Sequence, residues 1–141
     1  MLQPLLRALI AAEQPVLARR GLTMWGYIVL SALADAPEST QAALAERIGA
    51  DKTRIIPVLD ELQEAGLIAR DPDPADRRAR ILSITPAGRQ ARDGTRHEIQ
   101  RGEERLLARL TTAERQAFLR AAELLSSLAP EELAAEENAG G

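Results

Sequence analysis

The chain has 141 residues, 45% hydrophobic, with a net charge of −3 and only Trp25, Tyr27 and Phe118 as aromatics. This is the length of one domain, alone or with an appended dimerisation element, and its core must come from Leu, Ile, Val and Ala, a composition that favours helices. The absence of cysteine and the single histidine, His97, exclude disulfides, cysteine zinc sites and thiol sensing of peroxide.

Taken in chain order, residues 3 to 19 predict a first helix with Leu5, Leu6, Leu9, Ile10, Val16 and Leu17 as its apolar positions, Pro15 placed to bend it and Gly21 to stop it. Arg7 and Glu13 interrupt its opening stretch, and no secretory signal is expected there. Nowhere does a run approach the roughly 18 apolar residues of a membrane span. The cytoplasm is the expected location.

Thr23 caps a largely buried second helix, "MWGYIVLSALA", which Pro37 ends. Thr40 caps a short third helix closed by Gly49, and Asp51 caps a fourth, about 52 to 65, ending at Gly66. In that helix Ile55, Val58, Leu59, Leu62 and Ala65 share a core face, while Thr53, Pro57, Asp60 and Glu64 lie opposite. "LIAR" (67 to 70) reads as a short strand, "DPDPAD" as two proline–aspartate turns, and "RARILSI" as a second strand, forming a hairpin with a long charged tip. Thr85-Pro86 opens a long polar helix to about Leu110. Thr111 and Glu114 form a capping box for a last helix to about Leu128. An acidic, flexible tail is expected at 130–141. Two short helices joined at a glycine and followed by a hairpin describe a winged helix-turn-helix.

Charge distribution says more than its sum. Arg70, Arg77, Arg78, Arg80, Arg89 and Arg92 stand against Asp71, Asp73 and Asp76, while the tail after Pro130 is purely acidic. The fourth helix opens with Lys52, Thr53 and Arg54, donors suited to base edges and phosphates in a major groove. Its later residues Asp60, Glu61 and Glu64 would repel phosphates, so the helix is expected to use its first two turns. Pro57 falls opposite the core. There the bond it removes costs less than in a core, and its ring offers a rigid apolar surface suited to a thymine methyl, or else marks a structural kink. Thr40 and Gln41 open a helix whose N-terminal N–H groups suit a phosphate, or only an ordinary cap.

The stretch 22 to 89 resembles the core of the MarR (multiple antibiotic resistance regulator) family. The resemblance rests on Leu22-Thr23, "ALAERIGADKTR", "LDELQEAGLIAR", "DRR" and "TPAG" in that order. It implies a fold that is mainly α with a small β-hairpin wing, a winged helix-turn-helix with N- and C-terminal dimerisation helices. The expected parts are an N-terminal dimerisation helix (1–21), a DNA-binding lobe (22–85) and C-terminal dimerisation helices (86–129). It further implies a homodimer that binds palindromic double-stranded DNA, most often as a repressor, and often responds to a small molecule. Asp76, Arg77 and Arg78 match the wing signature, in which an acidic residue holds one arginine and an arginine enters the minor groove. The alternative is a solvated hairpin whose arginines pair with Asp71, Asp73 and Asp76. Arg70 and Arg80 read as phosphate contacts or partners of those aspartates.

The resemblance places an effector pocket near the first two helices, with Val16, Leu17, Met24, Trp25 and Ile28 as candidates and Trp25 able to stack on an aromatic ligand. Met24 and Trp25 read equally well as core residues, and His97 as a solvated one. No cofactor or metal is expected. An enzyme is disfavoured because no nucleophile–base pair, metal cluster or phosphate loop is visible. The competing reading is a winged helix that serves a protein partner and has lost DNA binding.

Overall fold

A computed structural model describes residues 1–129 and 131–132. Six helices and one hairpin follow in order: α1 Leu2–Arg19, α2 Met24–Asp35, α3 Gln41–Ile48, α4 Lys52–Glu64, β1 Ile68–Asp73, β2 Asp76–Ile84, α5 Pro86–Leu107 and α6 Thr112–Ser126. The chain forms two compact units, Met1–Arg101 and the remainder from Gly102 onward. The expected segments 1–21 and 22–85 therefore share one unit with most of α5. The acidic tail, apart from Glu131 and Glu132, lies outside the described residues.

The helix starts follow the local chemistry. Thr23, Thr40 and Asp51 accept from the N–H groups of Gly26, Ala43 and Thr53 at 3.0, 3.0 and 3.1 Å. Each fills one of the donors a helix start leaves unpaired. α1 continues through Pro15, and α4 through Pro57. Gly49 adopts a left-handed φ of 69° between α3 and α4, the tight corner of the helix-turn-helix.

The core of the first unit is aliphatic. Leu17 of α1 joins Val29, Leu30 and Leu33 of α2, Leu44 of α3, Ile55, Leu59 and Leu62 of α4, Ile68 of β1 and Leu82 of β2, all buried. At about 1.5–3 kcal/mol per buried large aliphatic side chain, this cluster is the main stabilising term, and it draws on every element from α1 to β2.

The hairpin corrects the expectation of a long tip. Its strands pair from Ile68–Ile84 to Asp73–Asp76, with an irregularity between Pro72 and Asp73, and only Pro74 and Ala75 separate them. Pro72 is tolerated because β1 is an edge strand, where a missing N–H leaves no ladder bond unmade. Asp73 then makes the turn by accepting from the Ala75 N–H at 2.9 Å. On the other side of β2, Glu38 forms an isolated antiparallel bridge to Leu82, with N–H···O distances of 3.0 and 2.7 Å. Nothing local in "APEST" announces that pairing.

The start of α5 is locked to the corner between α4 and β1. The Thr85 hydroxyl accepts from the Gly88 N–H at 3.0 Å and donates to the Gly66 carbonyl at 2.7 Å. Gly88 is buried so closely that a Cβ there would fall on the Leu67 carbonyl. α5 ends at Leu107, about a turn earlier than expected. In the second unit, Thr111 and Glu114 form the expected capping box for α6, and Arg115 makes a two-pronged pair with Glu104 at 2.7 and 2.9 Å.

A second junction joins α1 to α5. Glu98 accepts from Arg20 at 2.5 and 3.1 Å and from Arg19 at 3.1 Å. The Arg20 guanidinium lies against Gly94, where a Cβ would come within 2.8 Å of its Cζ. Hydrogen bonds from Arg20, then Arg19, hold the Glu98 carboxyl below its ordinary value of 4.5. A folded carboxyl that binds its proton more weakly than the unfolded one contributes stability above the ordinary value and loses it as pH falls through the lowered one.

Two outcomes are expected. Gly88→Ala should lower the unfolding free energy by about 1–3 kcal/mol in urea titrations, whereas Gly102→Ala, where a Cβ meets only the Arg105 guanidinium at 3.9 Å, should be neutral or slightly stabilising. Glu98→Gln should flatten the decline in urea midpoint as pH falls below 4.5; an unchanged slope would mean that the junction carries no linked proton.

Candidate nucleic-acid interface

The site is built outward from the end of α2. The last carbonyls of a helix lack intrahelical donors and carry its partial negative charge. Arg47, in the last turn of α3, donates to the Ala32 carbonyl, to the Ala36 carbonyl at 3.2 Å and to the Glu38 carboxylate at 3.3 Å. From α5, Arg89 reaches the Ala34 carbonyl at 3.4 Å. These contacts and the Glu38–Leu82 bridge hold α2, α3, β2 and α5 around one point. Sequence inspection missed Glu38, Arg47 and Arg89 in these roles because each of these partners lies nine or more positions away along the chain.

α4 is positioned by its core stripe of Ile55, Leu59 and Leu62, which turns the opposite face outward. Lys52, Thr53, Arg54 and Pro57 are all exposed, as is Ile56, which sequence inspection overlooked. The signal was present: Ile56 lies 100° beyond Ile55 and so off the core stripe. Pro57 has no N–H to give the Thr53 carbonyl, and both residues lie on the solvent side.

Arg70 departs from expectation. It pairs with Asp60 of α4 at 2.7 Å rather than with the hairpin aspartates, and its side chain is only 14% exposed. β1 leaves α4 through the Gly66 corner, and Arg70 runs back against that helix. The pair compensates one of the acidic charges on the outer face of α4.

The tip aspartates brace the backbone. Asp73 accepts from the Ala75 N–H, and Asp76 accepts from the Arg78 N–H at 3.0 Å. The expected acid–arginine link in the wing is therefore made to main chain instead of guanidinium. Arg77, Arg78 and Arg80 are exposed, and among the described residues they make no ion pair, as is also true of Lys52 and Arg54. The reading of a hairpin neutralised by its own aspartates loses its support. Thr40 is exposed and Gln41 half-buried at the start of α3.

The effector candidates separate by burial. Leu17 belongs to the core at 1% exposure, and Met24 packs against that core. Val16, Trp25 and Ile28 are half-buried, and His97 is exposed. Among the described residues no helix is long and apolar enough to cross a membrane.

The sequence model of the MarR family matches residues 20–79. The transcriptional regulator HosA of Escherichia coli O111:H- is 32% identical over 70% of this chain and 73% of its own length. The chain belongs to the MarR family. A putative transcriptional regulatory protein for the hcr operon of Thauera aromatica is 39% identical over 67% of this chain; the matched stretch spans 57% of that relative. The repressor CouR, solved bound to a 23-mer DNA duplex, superposes with a TM-score of 0.75 at 27% identity, covering 89% of each chain. The six helices and the wing described above are thus the MarR winged-helix fold, and the chain shares it with transcription regulators.

In this MarR-family chain the Arg47 contacts should matter for stability. Arg47→Ala should lower the unfolding free energy by about 1–2 kcal/mol, within the range for charge-assisted hydrogen bonds on a partly exposed group. Arg47→Lys should recover only part of it in the same thermal or urea measurement, because one ammonium cannot reach three acceptors in a fixed fork.

Proposed function

We propose that the chain is a sequence-specific, double-stranded DNA-binding transcription regulator that acts in the cytoplasm as a homodimeric, ligand-responsive repressor on a palindromic operator. The observation that carries this reading is the pair of unpaired cationic clusters: Lys52 and Arg54 at the start of α4, and Arg77, Arg78 and Arg80 on the wing, joined through the Arg70–Asp60 pair. α4 enters a major groove by its first two turns, with Lys52, Thr53, Arg54 and Pro57 facing base edges and phosphates. The wing lies along the adjacent minor groove, where Arg77 or Arg78 inserts and Arg80 meets phosphate, with Asp76 holding the tip in shape. Thr40 and Gln41 bring the start of α3 to the backbone. The DNA-bound state of CouR supports the same use of this fold.

Dimerisation is supported by apolar residues left exposed: Leu2, Leu6 and Ile10 on α1, and Phe118, Leu119, Leu124 and Leu125 on α6. Residues 1–21 and 86–129 then supply the dimer, and 22–85 the reading lobe. Two recognition helices about 34 Å apart match one turn of duplex. A small aromatic effector near Val16, Met24, Trp25 and Ile28, with Leu17 beneath, would act by preferring another spacing, typically a coupling of about 1–3 kcal/mol.

The test is selection from random duplexes, followed by titration of the enriched sequence at several salt concentrations. A palindrome with half-sites about ten base pairs apart is expected. Its affinity should fall steeply with salt, and Arg78→Ala should reduce the salt slope by about two units, one for each protomer. Failure to enrich any sequence would point either to a required co-ligand or to the protein-interaction reading instead.

A further inference from the structure

Ile56 serves neither the core nor the cationic frame. We infer that Ile56 and Pro57 together form an apolar step on α4 that reads the 5-methyl group of thymine, so that each half-site carries thymine where the second turn of the helix meets the groove. The inference rests on the DNA-reading role proposed above and names the base chemistry it recognises.

The helix register sets the argument. Ile56 and Pro57 follow Lys52 and Thr53 by one turn, so the outer face of α4 presents polar donors first and an apolar pair next. Both residues are exposed, Ile56 at 37%. A major groove offers hydrogen-bond donors and acceptors on every base pair, but only one apolar group, the thymine methyl. Of the base-edge groups there, the thymine methyl is the one whose burial an apolar pair on the helix favours most. Pro57 is also rigid, so contact with its ring freezes no side-chain rotamer.

The next turn excludes the main competitor. A carboxylate at this depth could accept from a cytosine amino group, and Asp60 stands one turn beyond Ile56. Its carboxylate is held at 2.7 Å by Arg70 from β1, which draws it toward the hairpin and leaves the apolar pair as the reading surface of the second turn.

The experiment replaces each thymine of the selected operator in turn by deoxyuridine, which removes only the methyl group. Binding of the full-length protein is measured by fluorescence anisotropy. One or two positions in each half-site should weaken binding about fourfold, the effect of burying one methyl-sized group, while the remaining thymines are neutral. Ile56→Ser/Pro57→Ser, with wild-type circular dichroism, should bind the thymine and uracil forms equally at those positions. Ile56→Val should keep the discrimination, which separates a lost contact from a damaged helix. Neutral substitution at every thymine while specific binding persists would overturn the inference and leave the regulator reading standing. Undiminished methyl sensitivity in the double variant would do the same. If the wild-type chain selects no operator at all, the regulator reading fails first and this inference with it.

Discussion

The end of α2 is the point on which the helix-turn-helix and the wing both depend. A helix C-terminus must find donors for its last carbonyls, and here they are arginines from other elements: Arg47 of α3 and Arg89 of α5. The chain leaves α2 through Glu38, which pairs with Leu82 of β2 and accepts a third contact from Arg47. One short segment thus orients the first helix of the motif, the inner strand of the wing and the opening of the long α5. The aliphatic core supplies most of the stabilising energy but is not directional. The angular relation between α3, the hairpin and the start of α5 comes from these hydrogen bonds.

The recognition helix combines two unfavourable local choices. Pro57 removes an interior hydrogen bond, and Asp60 puts negative charge on the outer face. Neither is neutral for the isolated helix, where an interior proline costs about 3 kcal/mol. In the folded chain α4 nevertheless runs unbroken, because Ile55, Leu59 and Leu62 anchor its other face in the core. Tertiary packing carries the helix past its own propensity, and the charge of Asp60 is met by Arg70. The residues that conflict with local rules lie on the face assigned to DNA, where such conflicts are expected in a functional surface.

Much of this was legible in the chain itself. Helix starts depend on a cap and its neighbours two or three residues on, so Thr23, Thr40, Asp51, Thr85 and the Thr111–Glu114 box could be read directly. The core stripe of α4 followed from its period. Contacts across elements were not legible. The hairpin tip was expected to be long because Pro72 and Pro74 look like breakers, yet an edge strand tolerates proline. Arg70 reads in the sequence as a phosphate contact or a partner of the hairpin aspartates, whereas its partner lies ten positions earlier on α4. The Glu38 bridge had no signature, since one residue of pairing creates no alternation. Within the candidate site, the outward placement of Lys52, Thr53, Arg54 and Pro57 follows from the period of α4. Ile56 lies off the core stripe by the same period, although its apolar side chain is of the type that period normally places inside.

The Arg70–Asp60 pair has a mechanical consequence. It spans from the edge strand of the hairpin to the middle of the recognition helix, on top of the shared core formed by Leu62, Ile68 and Leu82. The pair and the core beneath it tie the hairpin to α4, and on the DNA-reading role proposed above they would fix the span between the two contact points of one lobe. On that reading, an operator whose groove geometry differs from this gauge would have to bend or twist to fit. Discrimination among related operators would then draw partly on the stiffness of the DNA, at base pairs that no side chain reaches.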